Sequence, residues 1–250
     1  MRLRKRAWRS YARLRRRLLG IPQPGSVNFG DLRRTEPVGR HFGLDRAPPG
    51  AERGMPVDRH YIERFLEARA GDIRGRVLEI GDDAYTRRYG GGRVTQRDIL
   101  NITADHPQAT IVADLADAPQ IADALFDCVI LTQTLHLIYD APRAVRTLHR
   151  ILKPGGVLLM TVPGISLVPT TSVWGHTWYW AFTELAVKRM LGDTFGAAMV
   201  EVGARGNVLA AVAFLHGLAA EELSADELDA VDPYYPVIVT ARARKGGAWN

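Results

Sequence analysis

The stretch RVLEIGDDAYTRRYGG, residues 76–91, begins like a β-strand that enters the tight turn of a nucleotide-binding fold. Val77, Leu78 and Ile80 supply the apolar side chains of the strand, and Gly81 follows them at the turn. Asp82 and Asp83 follow Gly81, in the turn where a dinucleotide-binding fold has a second glycine. The stretch predicts the first strand of a nucleotide-binding sheet, but two carboxylates beside a pyrophosphate would repel it.

Short β-rich runs alternate with helical runs on the C-terminal side of this stretch. The predicted strands cover residues 76–80, 93–99, 109–115, 126–133, 156–164, 197–203 and 235–244. Such alternation is typical of a parallel sheet joined by crossover helices, and near-continuous apolar strands indicate a sheet covered on both faces. Thr183 predicts one helix start, and Ser224 with Glu227 has the spacing of a capping box. The sequence predicts a Rossmann-like, doubly wound α/β fold, with a mostly parallel seven-stranded sheet and helices on both faces.

The positive charge of the chain is concentrated at its start. The net charge is +6, but residues 1–20 contain nine Lys or Arg and no acid, so the rest of the chain sums to −3. Apolar residues recur there at spacings of three and four: Leu3, Ala7, Tyr11, Leu14 and Leu18. This pattern predicts a basic amphipathic arm over residues 1–20, followed by a Gly/Pro-rich linker over residues 21–55 and a folded domain over residues 56–246.

The arm has several interpretations. An amphipathic basic helix can contact an anionic membrane peripherally, whereas a solvated tail and a transit peptide have the same composition. The arginines of such a helix could also contact the phosphates of a nucleic acid, but we do not expect a nucleic-acid partner. The single cysteine, Cys128, lies in an apolar run and is consistent with a reducing cytoplasm. We therefore expect a cytoplasmic protein, with peripheral membrane contact through the arm as an open alternative.

Ligands of open α/β sheets bind beyond the carboxyl ends of the strands, so the residues at those ends are the candidates for a site. Gly81 ends the first predicted strand, and Asp98 ends the second, where a carboxylate can accept both hydroxyls of a ribose. Asp114 ends the third, where its side chain or the amide of Leu115 can meet an adenine edge. Gln133 ends the fourth and faces the same cleft.

The order of these motifs resembles the class I S-adenosylmethionine-dependent methyltransferases, of the bacterial type described as methyltransferase domain 11. The resemblance rests on VLEIG, an acid ending the second strand, ADL, FDCVILTQTLHLIYD and LHRILKPGGVLLMTVPG, and RILKPGG is its most diagnostic phrase. It covers residues 56–165 most clearly. It implies S-adenosylmethionine as the cofactor and a class I methyltransferase domain over residues 56–246.

The resemblance also implies roles for individual residues. Glu79 and Gly81 would frame the methionine end of the cofactor, Asp98 would hold its ribose, Asp114 and Leu115 its adenine, and Gln133 would form the far wall. Asp82 joins this set because a carboxylate is favourable beside the ammonium or sulfonium of this cofactor. The sequence departs from the family at Asp83, where a second glycine is usual.

These acids also have a purely structural interpretation. Glu79 can cap a neighbouring helix, and Asp82 and Asp83 can begin the short helix at AYTRRYGG.

Methyl transfer from a sulfonium is a direct displacement, so orientation and exclusion of water supply much of the catalysis. A hydroxyl acceptor benefits from a base, for which His136 is the first candidate and His176 the second, although a structural role for His136 is the alternative. The histidines and carboxylates show no metal-ligand spacing, so we expect no metal. The aromatic run at 174–182 is expected to line a sugar or aromatic pocket, or to pack in the core.

Three functions compete at this point. The first is S-adenosylmethionine-dependent O-methylation of a small molecule or glycan without metal. The second is an inert protein that binds the adenosyl cofactor and docks to a membrane or assembly through its arm. The third is a nicotinamide-dependent oxidoreductase, which the missing Gly-x-Gly-x-x-Gly turn disfavours.

Overall fold

The computed structural model describes residues 53–170 and 175–247, together with residues 11, 14, 15, 17–20, 22, 23, 25–31 and 33–39. The described residues of the arm between 11 and 18 are helical, and Tyr11, Leu14 and Leu18 are exposed. The rest of the predicted arm, much of the predicted linker and Trp174 lie outside the described residues.

Seven strands form one sheet, as predicted. They are β1 (Gly75–Ile80), β2 (Val94–Asn101), β3 (Ile111–Val112), β4 (Phe126–Thr132), β5 (Leu152–Pro163), β6 (Val200–Arg205) and β7 (Ile238–Arg244). Their order is β3-β2-β1-β4-β5-β7-β6; β1 to β5 are parallel, and β7 runs antiparallel to β5. The strand order reverses between β1 and β4, which places the topological switch point there. The Rossmann-like, mostly parallel prediction is confirmed.

Both faces of the central strands are buried, because alternate apolar residues point to opposite sides of a strand. On one face, Leu78 of β1 and Leu158 of β5 pack in a core with residues of two helices, α2 (Ala141–Ile151) and α3 (Glu184–Phe195). On the other face, Val77 and Cys128 are also buried. The α2 helix starts where the Asp140 side chain accepts a hydrogen bond from the Arg143 amide at 3.0 Å.

The chain divides into two compact units. The unit with the sheet comprises residues 62–164, 176–204 and 238–250, and the other comprises residues 1–61, 165–175 and 205–237. The first turns of α1 (Val57–Ala68) and the helices α4 (Val208–Leu215) and α5 (Ala225–Asp229) belong to the second unit.

A buried ion pair fastens three segments of the second unit. Arg53 binds Glu222 with two nitrogens, one of them at 2.6 Å, and also donates to the carbonyls of Pro22 at 2.8 Å and Gln23 at 2.9 Å.

Within the part of the chain that the structure describes, each helix is too short or too polar to cross a bilayer.

Candidate functional site

The carboxyl ends of β1, β2, β4 and β5 meet at one edge of the sheet, next to the switch point. Ile80 at the end of β1 lies beside Leu100 of β2, and the amide of Gly81 donates to the Leu100 carbonyl at 2.9 Å. On the other side, the amide of Gln133 donates to the Thr161 carbonyl of β5 at 2.9 Å. This edge is where an open α/β sheet binds its ligand.

Gly81 forms a turn that leaves room for a ligand. Its φ is +87°, a conformation that side-chain-bearing residues rarely adopt, and a Cβ built on it would meet nothing within 4 Å. The backbone is therefore open to close approach at the place where the sequence predicts the methionine end of the cofactor. These features fit the adenosyl cofactor that the resemblance implies.

Glu79 caps the helical turn that follows the Gly81 turn, as its structural interpretation predicts. It is only 2% exposed, and its carboxylate accepts hydrogen bonds from the Tyr85 amide at 3.1 Å and from the amide and hydroxyl of Thr86, both at 2.7 Å. Burial raises its pKa to about 7, against the opposing effect of these hydrogen bonds. Glu79 thus holds the start of the π-helical turn Thr86–Gly90, which follows the Gly81 turn in the sequence.

The two aspartates of the turn differ in their surroundings. Asp82 is exposed, and its side chain accepts a hydrogen bond from the Ala84 amide at 2.9 Å, as the helix-start interpretation predicts. Asp83 is buried, and its carboxylate pairs with Arg87 at 2.7 Å and Arg97 at 3.3 Å. The charge of Asp83 is therefore balanced by two guanidinium groups of the chain itself.

Asp98 does not end β2, so that part of the prediction is wrong. The strand continues to Asn101, and Asp98 lies opposite Leu78, three residues before the end. At the rise of a parallel strand, this places Asp98 about 10 Å behind the carboxyl edge. Its buried carboxylate binds Arg76 at 2.7 Å and accepts from the Thr110 hydroxyl at 3.2 Å.

Asn101 occupies the end of β2, the position that was predicted for Asp98. It ends β2, is half-buried, and its side-chain oxygen accepts a hydrogen bond from the Ile102 amide at 2.9 Å. The signal for it was present in the sequence, because the apolar residues Ile99 and Leu100 extend the strand beyond Asp98 and are both buried.

Asp114 and Leu115 follow a shorter strand than predicted. β3 ends at Val112, and Asp114 begins a turn in which its carbonyl accepts from the Asp117 amide at 2.9 Å and its carboxylate from the Ala116 amide at 2.8 Å. Asp114 is exposed, whereas the Leu115 side chain packs in the core. Both residues lie just beyond the carboxyl end of β3.

Gln133 adopts an unusual backbone conformation directly after β4. Its φ is 45°, in the left-handed region that few residues other than glycine enter. Such a conformation persists only where the surrounding structure enforces it, and residues of this kind cluster at functional sites. The amide of Gln133 is fixed by Thr161, so the side chain starts from a defined position at the site edge.

His136 is buried in the loop after β4. It is 1% exposed, its ring centroid lies 4.2 Å from that of Trp178, and its Nδ1 has no hydrogen-bond partner among the described residues. Burial lowers its pKa to about 4, so the imidazole is neutral near pH 7. A buried nitrogen without a partner is costly and suggests a group that binds there.

His176 occupies a different environment. It is exposed in the 3₁₀ turn Gly175–Thr177, two residues before Trp178. The structure therefore brings Trp178, and not His176, against the His136 ring. Among the described residues, no three His, Cys, Asp or Glu side chains cluster as a metal site would require; the metal-free reaction stays a prediction.

The match to a protein family covers the region of the Gly81 turn and the strands that follow it. Residues 81–160 match the family model of a methyltransferase domain. The mitochondrial arginine-hydroxylase NDUFAF5 of Rattus norvegicus is 35% identical over 74 residues, which cover 27% of this chain and 21% of that protein. The ubiquinone/menaquinone biosynthesis C-methyltransferase UbiE of Haemophilus ducreyi is 30% identical over 89 residues, which cover 36% and 29% respectively. This chain spans between 3% and 29% of the length of the curated relatives it matches.

The fold is shared with solved structures. An S-adenosylmethionine dependent methyltransferase from Mesorhizobium loti aligns with 76% of this chain and 100% of its own, with a TM-score of 0.53 and 18% identity. At this identity the match establishes the fold, while the family match at 81–160 covers the turn, β2 to β4 and most of β5.

Proposed function

We propose, on the premise that this chain belongs to the class I S-adenosylmethionine-dependent methyltransferases, that it transfers a methyl group to a hydroxyl of a small molecule or glycan. The observation that carries the proposal is the Gly81 turn, with its positive φ and open space, at the switch point of the sheet. Relatives with a C-methyltransferase name and with a hydroxylase name both match part of this chain, so the mass of the product has to identify the reaction.

For the cofactor, we propose an arrangement along the carboxyl edge. The open backbone at Gly81 would approach the methionine end, and Asp114 with the amide of Leu115 would meet the adenine. Gln133 would form the far wall. The ribose hydroxyls would bind the Asn101 side chain, because Asp98 is held by Arg76 away from the edge.

Glu79 and Asp82 would act on the cofactor indirectly. Both accept hydrogen bonds from amides of residues 84–86, so they fix the turn that the cofactor would contact. We therefore assign them a positioning role, and not direct contact through free carboxylate oxygens.

When bound, S-adenosylmethionine supplies a methyl group on a positively charged sulfur. The acceptor hydroxyl would form a C–O bond with that methyl group as the C–S bond breaks, the electron pair would stay on sulfur, and the hydroxyl proton would leave. His136 would accept a hydrogen bond from this hydroxyl at Nδ1. Its lowered pKa makes it better suited to orient the hydroxyl than to retain the proton, which passes on to solvent. His176 stays the second candidate because it is exposed near Trp178.

The test combines binding with product mass. Calorimetric titration with S-adenosylmethionine, S-adenosylhomocysteine and NAD should give binding of the first two only. Incubation with isotope-labelled cofactor and fractionated metabolites should then give a product heavier by one labelled methyl group in place of hydrogen. Binding without any methylated product would support the inert alternative instead, and binding of NAD alone would overturn the proposal.

We also propose peripheral membrane contact for residues 1–20, since the described part of that arm is helical with Tyr11, Leu14 and Leu18 exposed. Co-sedimentation with anionic liposomes should require the arm. Equal pelleting of the full chain and of a chain that starts at Gly54 would contradict this.

A further inference from the structure

Three aromatic side chains are exposed side by side on the unit that carries the sheet. Tyr139 is 71% exposed, Tyr179 47% and Trp180 39%. The Tyr139 ring lies 5.3 Å from that of Tyr179 at an angle of 72° and 6.0 Å from that of Trp180 at 27°, measured between centroids. We call these three residues the aromatic platform. Contiguous exposed apolar surface of this kind marks binding sites in proteins.

The aromatic platform is tied to the loop that carries His136. The His136 carbonyl accepts hydrogen bonds from the amides of Tyr179 at 3.0 Å and Trp180 at 3.3 Å, and the Trp180 indole donates to the Ile138 carbonyl at 3.1 Å. The platform is therefore fixed relative to the His136 ring, whose Nδ1 lacks a partner among the described residues. The platform thus joins Tyr139, which follows the His136 loop, to Tyr179 and Trp180 of the segment after β5 through hydrogen bonds to that loop.

We propose that the aromatic platform binds a sugar ring of the acceptor. The inference rests on the proposed function and narrows its acceptor to a glycan or glycoside. A pyranose ring has a face of C–H groups that packs on an aromatic ring, and hydroxyls that point outward to water. Tyr and Trp suit such ligands because they join an apolar ring to a polar group.

The ring geometry favours a sugar over a flat aromatic acceptor. A planar molecule inserted between two rings needs about 7 Å between them, because each contact takes about 3.5 Å. The nearly parallel rings of Tyr139 and Trp180 are closer than this, so a ligand must lie on their outer faces, and both residues are exposed. A sugar ring tolerates that exposure through its hydroxyls, whereas an apolar aromatic ring leaves a face unburied.

Saturation-transfer NMR on the full chain without cofactor tests the proposal. The probes are the methyl pyranosides of glucose, galactose, mannose, rhamnose, fucose and xylose, with catechol as the aromatic comparison. We expect transfer to the C–H protons of at least one glycoside. Tyr139→Ala should weaken its binding about fivefold, the loss of one ring contact. Tyr234→Ala is the matched control, since Tyr234 is 87% exposed and lies outside the platform.

The outcomes separate the two proposals. Transfer to no glycoside, transfer to catechol alone, or equal glycoside binding by Tyr139→Ala and the unaltered chain would overturn the sugar platform. A parallel calorimetric titration with S-adenosylhomocysteine reports on the proposed function. If that cofactor product binds while the glycosides do not, the platform proposal fails and the methyltransferase proposal stands. Trp180→Phe keeps a ring and loses the indole hydrogen bond, so it should bind the glycoside more strongly than Trp180→Ala.

Discussion

Neighbouring polar residues at the carboxyl edge of the sheet have different roles: some are placed to face a ligand and others hold the fold. Asp98 and Asn101 lie three residues apart on β2, yet one is tied to Arg76 and the other ends the strand. Glu79 and Asp82 likewise bind backbone amides of the following helical turn. The residue types at these positions were suited to a cofactor, but their neighbours determine what they bind.

Asn101→Ala and Asp98→Ala should affect different properties, the first cofactor affinity and the second stability. Asn101→Ala should weaken S-adenosylhomocysteine binding about tenfold with little loss of stability, since one or two ligand hydrogen bonds are lost. Asp98→Ala should lower the free energy of unfolding by about 1–3 kcal/mol, because Arg76 loses its partner, with little change in affinity. Calorimetry and urea unfolding measure the two effects. If Asp98→Ala loses cofactor binding and Asn101→Ala does not, Asp98 and not Asn101 binds the ribose.

Glu79 should make stability depend on pH. Its pKa is raised from 4.5 to about 7 by burial, so the folded chain holds its proton more tightly than the unfolded chain does. The stabilisation is complete below pH 4.5 and is lost as the pH rises through 7. The shift corresponds to about 3 kcal/mol. Urea unfolding of Glu79→Gln from pH 4.5 to 7.5 should lack this decline; a decline equal to that of the unaltered chain would place the titration elsewhere.

Gly81→Ala tests the open turn against a matched glycine. Gly81 and Gly92 would both carry a Cβ without meeting an atom within 4 Å, but only Gly81 has a positive φ. Gly81→Ala should therefore cost about 1–2 kcal/mol of stability and abolish cofactor binding, while Gly92→Ala should change neither. Thermal unfolding and calorimetry supply both measurements. If Gly81→Ala binds the cofactor with unaltered affinity, the cofactor does not contact the Gly81 turn.

The sequence patterns predict the presence of helices and strands more accurately than the residues at which they begin and end. Thr183 caps α3 and Ser224 forms a capping box with Glu227, as predicted, because a cap is a local signal of few residues. The predicted end of β2 is wrong. Asp98 was taken as its last residue, although the apolar residues Ile99 and Leu100 continue the strand to Asn101. The ladder with β1 extends to Leu100, and pairing between strands is not a local property.

The segment after the 3₁₀ turn Gly175–Thr177 controls the environment of His136. Trp178 lies against the His136 ring, and no sequence pattern links two residues so far apart. Trp178→Ala should raise the His136 pKa from about 4 toward 6.5, because water reaches the imidazole when the indole is removed. NMR titration of the histidine side chains measures this change. Trp178→Phe should keep most of the burial, and a pKa unaltered by Trp178→Ala would mean that other groups enclose His136.

At the scale of the whole molecule, the sheet order follows from alternation of strands and helices, whereas the second unit depends on contacts between distant segments. Arg53 and Glu222 are 169 residues apart, and neither stands in a motif. Their side chains are almost fully buried, with Glu222 also accepting from the amides of Gly25 and Ala219. Such a pair is found only when the folded chain brings it together.

Glu222→Ala should lower the free energy of unfolding by about 3–5 kcal/mol, because it leaves the Arg53 guanidinium buried without its counter-charge. Glu221→Ala is the control, since Glu221 is exposed and accepts from the Met55 amide at 3.0 Å. It should cost much less. Denaturant unfolding measures both variants. Equal losses in the free energy of unfolding would show that the Arg53–Glu222 ion pair stabilises the chain no more than the Glu221 contact does.

We propose that the carboxyl edge of β1, β2 and β4 holds an adenosyl cofactor. A crystal structure with S-adenosylhomocysteine would show where the ligand binds. We expect it against the Gly81 backbone, with its ribose at the Asn101 side chain and Gln133 on the far side. A ligand bound away from this edge, or a ribose held by an Asp98 that has released Arg76, would contradict it.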